Sequence, residues 1–141
     1  MFASQTSAAR AYATVGVETG IESASPHKLI LMLYEGALVS ISSARLHMQR
    51  KEVAEKGIAI SRAIEIISTG LKAGLDVNAG GELAVRLSAL YDYMCTRLLH
   101  ANAKNDPKAL DEVAKLLGEL KSAWEEIADD PAVLSWNKAA A

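Results

Sequence analysis

The first helix predicted in this chain starts at a sharply defined point and then carries apolar residues on two separate faces. Ser25 can accept a hydrogen bond from a free N–H of the first turn, and Pro26 suits the first helical position. One face is formed, at alternating steps of three and four, by Ile30, Leu33, Ala37, Ile41, Ala44 and Met48. A second face, about 100° away around the helix, is formed by Leu29, Met32, Val39 and Leu46. A helix with two apolar faces needs more than one packing partner.

Three further segments show the same helical spacing and are joined by short loops. Apolar residues recur at helical steps in 60–75, in 83–101 and, most regularly, in 110–127. Residues 76–81 combine Asp, Asn and Gly and predict a turn between two helices, while Asp106 followed by Pro107 predicts a helix start. The pattern predicts an all-α fold, an antiparallel up-down-up-down four-helix bundle with a mobile N-terminal arm.

The chain is predicted to have three parts. Residues 1–24 form the N-terminal arm, in which a short helix is an alternative, because apolar residues there are scattered among small and polar ones. Residues 25–128 form the four-helix bundle. Asp129, Asp130 and Pro131 are expected to stop the fourth helix. We therefore expect a flexible C-terminal tail over 129–141.

Composition limits the classes of partner. The chain has 141 residues, enough for one domain with its own core, and 15 basic residues nearly balance 17 acidic ones. Such a balance produces no long-range field to attract nucleic acid or anionic lipid, so partners are recognised by shape and apolar contact. The longest apolar run, 29–34, is shorter than the ~20 residues of a membrane span. No secretory signal is visible at the start, which predicts a cytoplasmic protein.

Residues suited to chemistry are sparse and scattered. His27, His47 and His100 are not spaced with carboxylates as metal ligands are, and we interpret them as solvated or helix-terminal residues. Cys95 is the one cysteine and is interpreted as a small apolar core residue. Gly80-Gly81 lacks the following Lys-Ser or Lys-Thr of a phosphate-binding loop. We predict no enzyme activity, no catalytic residues, no cofactor and no metal site.

Aromatic residues indicate a surface for a partner instead. Tyr91 and Tyr93 lie roughly 200° apart around the third helix, so both cannot face the same core. Tyr34 on the first helix presents the same choice between core and surface. Apolar and aromatic faces left over in this way could form a groove for an amphipathic segment of another protein.

Several sequence blocks are distributed from about Tyr12 to Ile127. They include Ala24-Ser25-Pro26-His27-Lys28-Leu29-Ile30, Gly80-Gly81-Glu82-Leu83-Ala84, Leu90-Tyr91-Asp92-Tyr93-Met94 and Ala101-Asn102-Ala103-Lys104-Asn105-Asp106. In these blocks the chain resembles the FliS-type flagellar secretion chaperones, which escort flagellin. Each block alone is weak, but their common order makes the resemblance specific. Glu35 departs from the aspartate of many relatives and keeps the charge.

The resemblance implies a non-enzymatic cytosolic chaperone for type III export. Such a protein would bind the C-terminal region of flagellin, prevent premature polymerisation and deliver flagellin to a component of the flagellar export gate, with a co-chaperone as a further candidate partner. The implied flagellin-binding groove consists of Leu29, Leu33, Tyr34, Leu87, Tyr91, Met94 and Leu98. The implied arm residues that cover this groove without flagellin are Tyr12, Val15, Val17 and Ile21.

One alternative stays open at the level of sequence. The second apolar face of the first helix could close a homodimer or larger bundle with no foreign client. The chain would then be a self-associating helical protein, whereas the chaperone is expected to be a monomer or weak dimer. Both apolar faces use the same residue types, so sequence does not distinguish core from groove.

Overall fold

The computed structural model describes residues 24–140, and every regular element within this range is helical. Helix α1 spans Pro26–Gln49, and α2 spans Val53–Glu65 and continues as a π-helix over Ile66–Lys72. Helix α3 spans Val77–Lys104, α4 spans Pro107–Glu126 and α5 spans Pro131–Ala140. The predicted all-α class is confirmed.

The helices pack in the order of a four-helix bundle. Helix α1 lies against α2 and α4, while α3 lies against α4, α2 and the π-helix. Helices α1 and α3 therefore occupy opposite corners. Short connections join consecutive helices, and the contacts are consistent with the predicted antiparallel bundle. Apart from Ala24, the predicted N-terminal arm lies outside the described residues.

The start of α1 follows the local rules that predicted it. The Ser25 side chain accepts a hydrogen bond from the N–H of Lys28 at 3.1 Å. The first apolar face of α1 is buried for most of its length. The second face is divided, since Leu29 is fully buried whereas Val39 is 68% exposed and Leu46 is 43% exposed.

The turn predicted over 76–81 is a capped helical turn followed by a kink. Asp76 accepts hydrogen bonds from the N–H groups of Asn78 and Ala79, which starts α3 at Val77, earlier than expected. Gly81 then adopts φ 55° and ψ −136°, a backbone conformation that side chains with a Cβ rarely adopt. Beyond Gly81, α3 runs unbroken to Lys104.

The structure contains a fifth helix where the sequence analysis expected a flexible tail over 129–141. Asp130 Oδ1 accepts a hydrogen bond from the N–H of Ala132 at 2.8 Å, so Asp130 and Pro131 start a helix as well as ending one. Val133 is buried against the bundle. The Asn137 side chain accepts a hydrogen bond from the N–H of His27 at 3.2 Å, which joins α5 to the start of α1. The expected flexibility of this end stays a prediction.

Polar contacts set the relative positions of the helices. Glu112 on α4 accepts hydrogen bonds from Tyr93 and Arg97 on α3, both at 2.7 Å, and these bonds lower the pKa of the Glu112 carboxyl. Lys56 is buried, and its ammonium donates to the carbonyl oxygen of Asn102 and to the side chain of Asn105. A buried charge needs such partners, so these bonds keep the end of α3 against α2.

Helix α1 has the length and composition of a membrane-spanning helix, and it is the one helix among residues 24–140 that does. It is also the central packing element of the bundle, with residues buried along most of its length. The core of the fold explains its apolar composition without a membrane.

Candidate functional site

One end of the bundle contains an apolar cavity of about 340 Å³. Four segments meet there: the start of α1, the end of the π-helix with the loop after it, the start of α3 and the end of α4. Their antiparallel order brings these ends together. The cavity, here called the bundle-end cavity, is lined by Ile30, Tyr34, Leu71, Gly74, Leu75, Leu83, Leu87, Tyr91, Leu120, Ala123, Trp124 and Ile127.

Two tyrosines in the wall of the bundle-end cavity are hydrogen-bonded to each other. The hydroxyls of Tyr34 on α1 and Tyr91 on α3 lie 2.7 Å apart in a hydrogen bond. Burial is the main cause that raises the pKa of both phenols, so both stay protonated at neutral pH. One hydroxyl donates this hydrogen bond and the other accepts it, so neither buried hydroxyl is without a partner. The rings themselves form an apolar aromatic part of the cavity wall.

A second aromatic contact joins Trp124 of the cavity wall to the start of α1. The rings of His27 and Trp124 are stacked, with centroids 4.7 Å apart and planes at 7°. Trp124 Nε1 donates to the backbone carbonyl of His27 at 2.9 Å, and His27 Nε2 lies 2.7 Å from the carbonyl oxygen of Trp124. Since a carbonyl oxygen only accepts, Nε2 carries the proton. His27 is helix-terminal, as expected, but it is buried and not solvated.

The seven residues predicted to bind flagellin fall into two groups. Tyr34, Leu87 and Tyr91 line the bundle-end cavity. The other four are fully buried in the core between the helices and do not line the cavity: Leu29, Leu33, Met94 and Leu98. The predicted arm residues, Tyr12, Val15, Val17 and Ile21, lie outside the described residues.

Most of the cavity wall was missed by the sequence analysis. Leu75 and Leu83 flank the kinked turn, whereas Leu120, Trp124 and Ile127 belong to the regular apolar face of α4. In sequence these residues resemble any other core positions. One usable signal was that they occur at helix ends which an up-down-up-down order brings to the same end of the bundle.

The site has the chemistry of a binding surface. Its lining consists of aliphatic and aromatic side chains, and its polar groups are engaged in the bonds described above. Among residues 24–140, no group of three or more His, Cys, Asp or Glu side chains is placed to hold a metal ion. The arrangement is suited to receive apolar side chains of another segment.

Comparison with known proteins places the chain in a family. A sequence model of the family described as "Flagellar protein FliS" matches residues 8–131. The chain is 52% identical over 118 residues to the flagellar secretion chaperone FliS of Salmonella typhimurium, covering 84% of this chain and 87% of that protein. It is 47% identical over 120 residues to the flagellar secretion chaperone FliSB of Pseudomonas aeruginosa, covering 85% and 94%.

The similarity extends to a relative with lower sequence identity. The flagellar secretion chaperone FliS of Bacillus subtilis is 32% identical over 109 residues, covering 77% of this chain and 80% of that protein. The family model's match over 8–131 includes the helices that form the bundle-end cavity, and the resemblance inferred from the sequence blocks is confirmed. The chain belongs to the FliS family of flagellar proteins.

Proposed function

We propose that this protein is a cytosolic flagellar secretion chaperone that binds the C-terminal segment of flagellin at the bundle-end cavity. Binding would prevent premature polymerisation, and the complex would deliver flagellin to the export gate, where a gate component and a co-chaperone are further candidate partners. The protein would act by binding alone and perform no catalysis. The bundle-end cavity is the observation that supports this proposal most directly.

The size and lining of the cavity suit an amphipathic helix. A cavity of about 150 Å³ with apolar walls already accepts a benzene-sized group, and the bundle-end cavity measures about 340 Å³. It can therefore receive more than one apolar side chain. Amphipathic helices bind in this way, with anchor residues at steps of three and four placed in an apolar groove.

The proposal assigns different roles to the two groups of predicted residues. Tyr34, Leu87 and Tyr91 would contact flagellin directly, because they already face the cavity. Leu33 and Leu98 are fully buried and would reach flagellin after the helices separate. We propose that their main contribution is to hold the helices that shape the cavity.

The N-terminal arm is proposed to cover the cavity when flagellin is absent. Helix α1 begins at Pro26, four residues before Ile30 of the cavity wall, a distance of about 6 Å along the helix. The preceding segment is therefore attached close to the cavity. Its apolar residues Tyr12, Val15, Val17 and Ile21 could occupy the positions that flagellin later takes.

A point substitution with a matched control tests the proposed cavity. We expect Leu87→Asp to weaken binding of a C-terminal flagellin fragment by at least about tenfold in calorimetry. Leu99→Asp is the control, because Leu99 lies on the same helix, is exposed and does not line the cavity. Circular dichroism and urea unfolding verify that both variants fold. Equal affinities for the two folded variants would exclude the bundle-end cavity as the binding site.

Deletion of 1–22 tests the arm, because it removes all four proposed covering residues, Tyr12, Val15, Val17 and Ile21. If the arm competes with flagellin, the shortened protein binds the same fragment more tightly, because no competing segment has to leave the cavity. The shortened bundle should still fold, and it should unfold at a slightly lower urea concentration than the full chain, because the arm no longer stabilises the native state by occupying the cavity. Unchanged affinity would contradict the proposed cover.

The alternative function is self-association without a foreign client. It predicts that the full chain forms dimers or larger species but does not bind flagellin or its C-terminal fragment at micromolar concentration. Gel filtration of the separate and mixed proteins distinguishes the two functions. A mixed complex supports the chaperone, and its absence supports the alternative.

A further inference from the structure

Helix α5 lies against the start of α1 and almost wholly beyond the part of the chain that matches the family. Only Pro131, its first residue, falls within the matched residues 8–131. Val133 is 1% exposed, and Trp136 packs against the hydrophobic core. None of the residues of α5 lines the bundle-end cavity. Any effect of α5 on the cavity must therefore pass through the residues that α5 contacts.

The first turn of α1 depends on α5 for one of its hydrogen bonds. Pro26 has no N–H, and the N–H of Lys28 donates to the side chain of Ser25. The N–H of His27 donates to Asn137 Oδ1 on α5 at 3.2 Å, a contact between residues 110 positions apart in the chain. The local sequence therefore satisfies only part of this turn, and α5 supplies the remaining acceptor.

His27 connects this contact to the cavity wall. Its ring stacks on the ring of Trp124, and two hydrogen bonds join the side chain of each residue to the backbone of the other. Trp124 lines the bundle-end cavity. Ile30, three positions after His27 on the same side of α1, lines it as well. A continuous series of contacts thus leads from Asn137 to the cavity.

We propose that α5 is a strap for the bundle-end cavity and that Asn137 is a positioning residue, which holds the His27–Trp124 pair in place. His27 is 6% exposed, so water does not readily replace Asn137 as the partner of its N–H. An unpaired N–H at this depth is costly, and the first turn of α1 would lower that cost by moving towards water. Such a movement would take the His27 ring away from Trp124 and change the cavity wall.

The strap can open without unfolding of the bundle. With 10 residues, α5 is shorter than the ~12–15 that an isolated helix needs in water, so its stability depends on its contacts with the bundle. Val133 is the one fully buried side chain of this helix. A segment with few buried contacts opens at a lower free energy than the core helices. The order of the cavity wall therefore depends on the population of closed α5.

Two substitutions at position 137 of the full chain separate positioning from stability. Asn137→Ala removes the acceptor oxygen, and hydrogen exchange at the His27 amide should become about tenfold faster. The resonance of the Trp124 indole N–H should also shift in a proton–nitrogen correlation spectrum, because its acceptor is the carbonyl of His27. Asn137→Asp keeps an acceptor oxygen, and should leave the exchange rate within about twofold and the indole resonance in place.

Lys138→Ala is the matched control, because Lys138 is exposed on the same helix and should affect neither measurement. Circular dichroism and urea unfolding verify that the variants fold. The proposal is overturned if the folded Asn137→Ala protein keeps the Trp124 indole resonance in place, since α5 would then add stability without positioning the wall. It is equally overturned if Asn137→Asp behaves like Asn137→Ala.

Binding of the C-terminal flagellin fragment gives a further measurement, and this part of the inference rests on the proposed function. The Val133→Ala/Asn137→Ala variant opens the strap further and should bind the fragment about threefold more weakly or worse, because only closed α5 gives an ordered wall. Equal affinity of this folded variant and the unmodified protein would contradict the strap. If the unmodified protein does not bind the fragment, the proposed function fails, whereas the His27 and Trp124 measurements still decide whether α5 positions the wall.

Discussion

The hydroxyl groups of Tyr34 and Tyr91 lie 2.7 Å apart and join α1 to α3, two helices that occupy opposite corners of the bundle. Both rings are buried and line the bundle-end cavity. The hydrogen bond therefore keeps the two sides of the cavity at a defined separation. Because each hydroxyl has a hydrogen-bond partner, its burial beside the apolar cavity costs little free energy.

This tyrosine pair should show strong coupling in a double-mutant cycle. Tyr34→Phe or Tyr91→Phe alone leaves one buried hydroxyl without its partner and should lower the free energy of unfolding by about 1–3 kcal/mol. The double variant leaves no unpaired hydroxyl and should cost clearly less than the sum of the two. Urea unfolding of the three variants measures this coupling. Additive losses would show that the two hydroxyls do not depend on each other.

The same pair predicts a loss of stability at alkaline pH. The pKa of each buried phenol lies above the ordinary value of 10.0, chiefly because burial disfavours the phenolate. The unfolded chain therefore releases these protons first as the pH rises. The stabilising effect is fully present below pH 10.0 and decreases above it. Urea unfolding from about pH 8 to about pH 11 should show this decrease, and the Tyr34→Phe/Tyr91→Phe variant should show a smaller one.

Trp124 should contribute substantially to stability. Trp124→Ala removes a buried indole ring, its stacking on the His27 ring and its hydrogen bond to the His27 backbone carbonyl. The substitution should lower the free energy of unfolding by about 3–5 kcal/mol. Trp124→Phe keeps an aromatic ring but removes the N–H donor, and should cost less. Denaturant unfolding measures both losses. A loss below about 1 kcal/mol for the alanine variant would contradict the buried position of Trp124.

Two glycines of the second helical segment should respond oppositely to alanine. A Cβ at Gly57 would meet nothing within 4 Å, so Gly57→Ala should stabilise α2 by about 0.5–1 kcal/mol. A Cβ at Gly70 would lie 3.2 Å from a methyl group of the fully buried Leu33. We expect Gly70→Ala to be destabilising because Leu33 has no room to move. Thermal unfolding of both variants measures the two changes in stability. Equal gains in stability would show that the Leu33 side chain can move away from the added methyl group.

Leu98→Asp should unfold the bundle, unlike Leu87→Asp. Leu98 is fully buried in the core, whereas Leu87 is half-buried at the cavity. A carboxylate at position 98 would have no partner, and the loss should be about 4 kcal/mol or more. Circular dichroism and urea unfolding measure the difference. A folded and stable Leu98→Asp protein would mean that this side chain reaches solvent more easily than the structure indicates.

The helix boundaries were predictable wherever a local capping group decides them. The sequence predicted helix starts at Pro26 and Pro107, and Ser25 and Asp106 cap those starts in the structure. Asp130 with Pro131 repeats the signal of Asp106 with Pro107, but the sequence analysis used it to end α4 and did not recognise the start of α5. A capping pair of this kind can end one helix and begin the next.

The position of Tyr91 and Tyr93 shows what periodicity can decide. Their angular separation required that one face outward, and Tyr93 is 43% exposed while Tyr91 is buried. Spacing could not show that Tyr91 meets Tyr34 across the bundle, since that contact depends on how two distant helices are placed. The same limit applied to Leu29, Leu33, Met94 and Leu98, which have the residue types of a groove and lie in the core.

The sequence by itself determined the helical class, the order of the bundle helices, most of their ends and the resemblance to the FliS family. These properties depend on caps, turns and apolar spacing within single segments. Only the tertiary structure decided which apolar residues pack against each other in the core and which remain around the bundle-end cavity. That choice depends on the distances between helices, and leucine, isoleucine and tyrosine are equally suited to a core and to a binding surface.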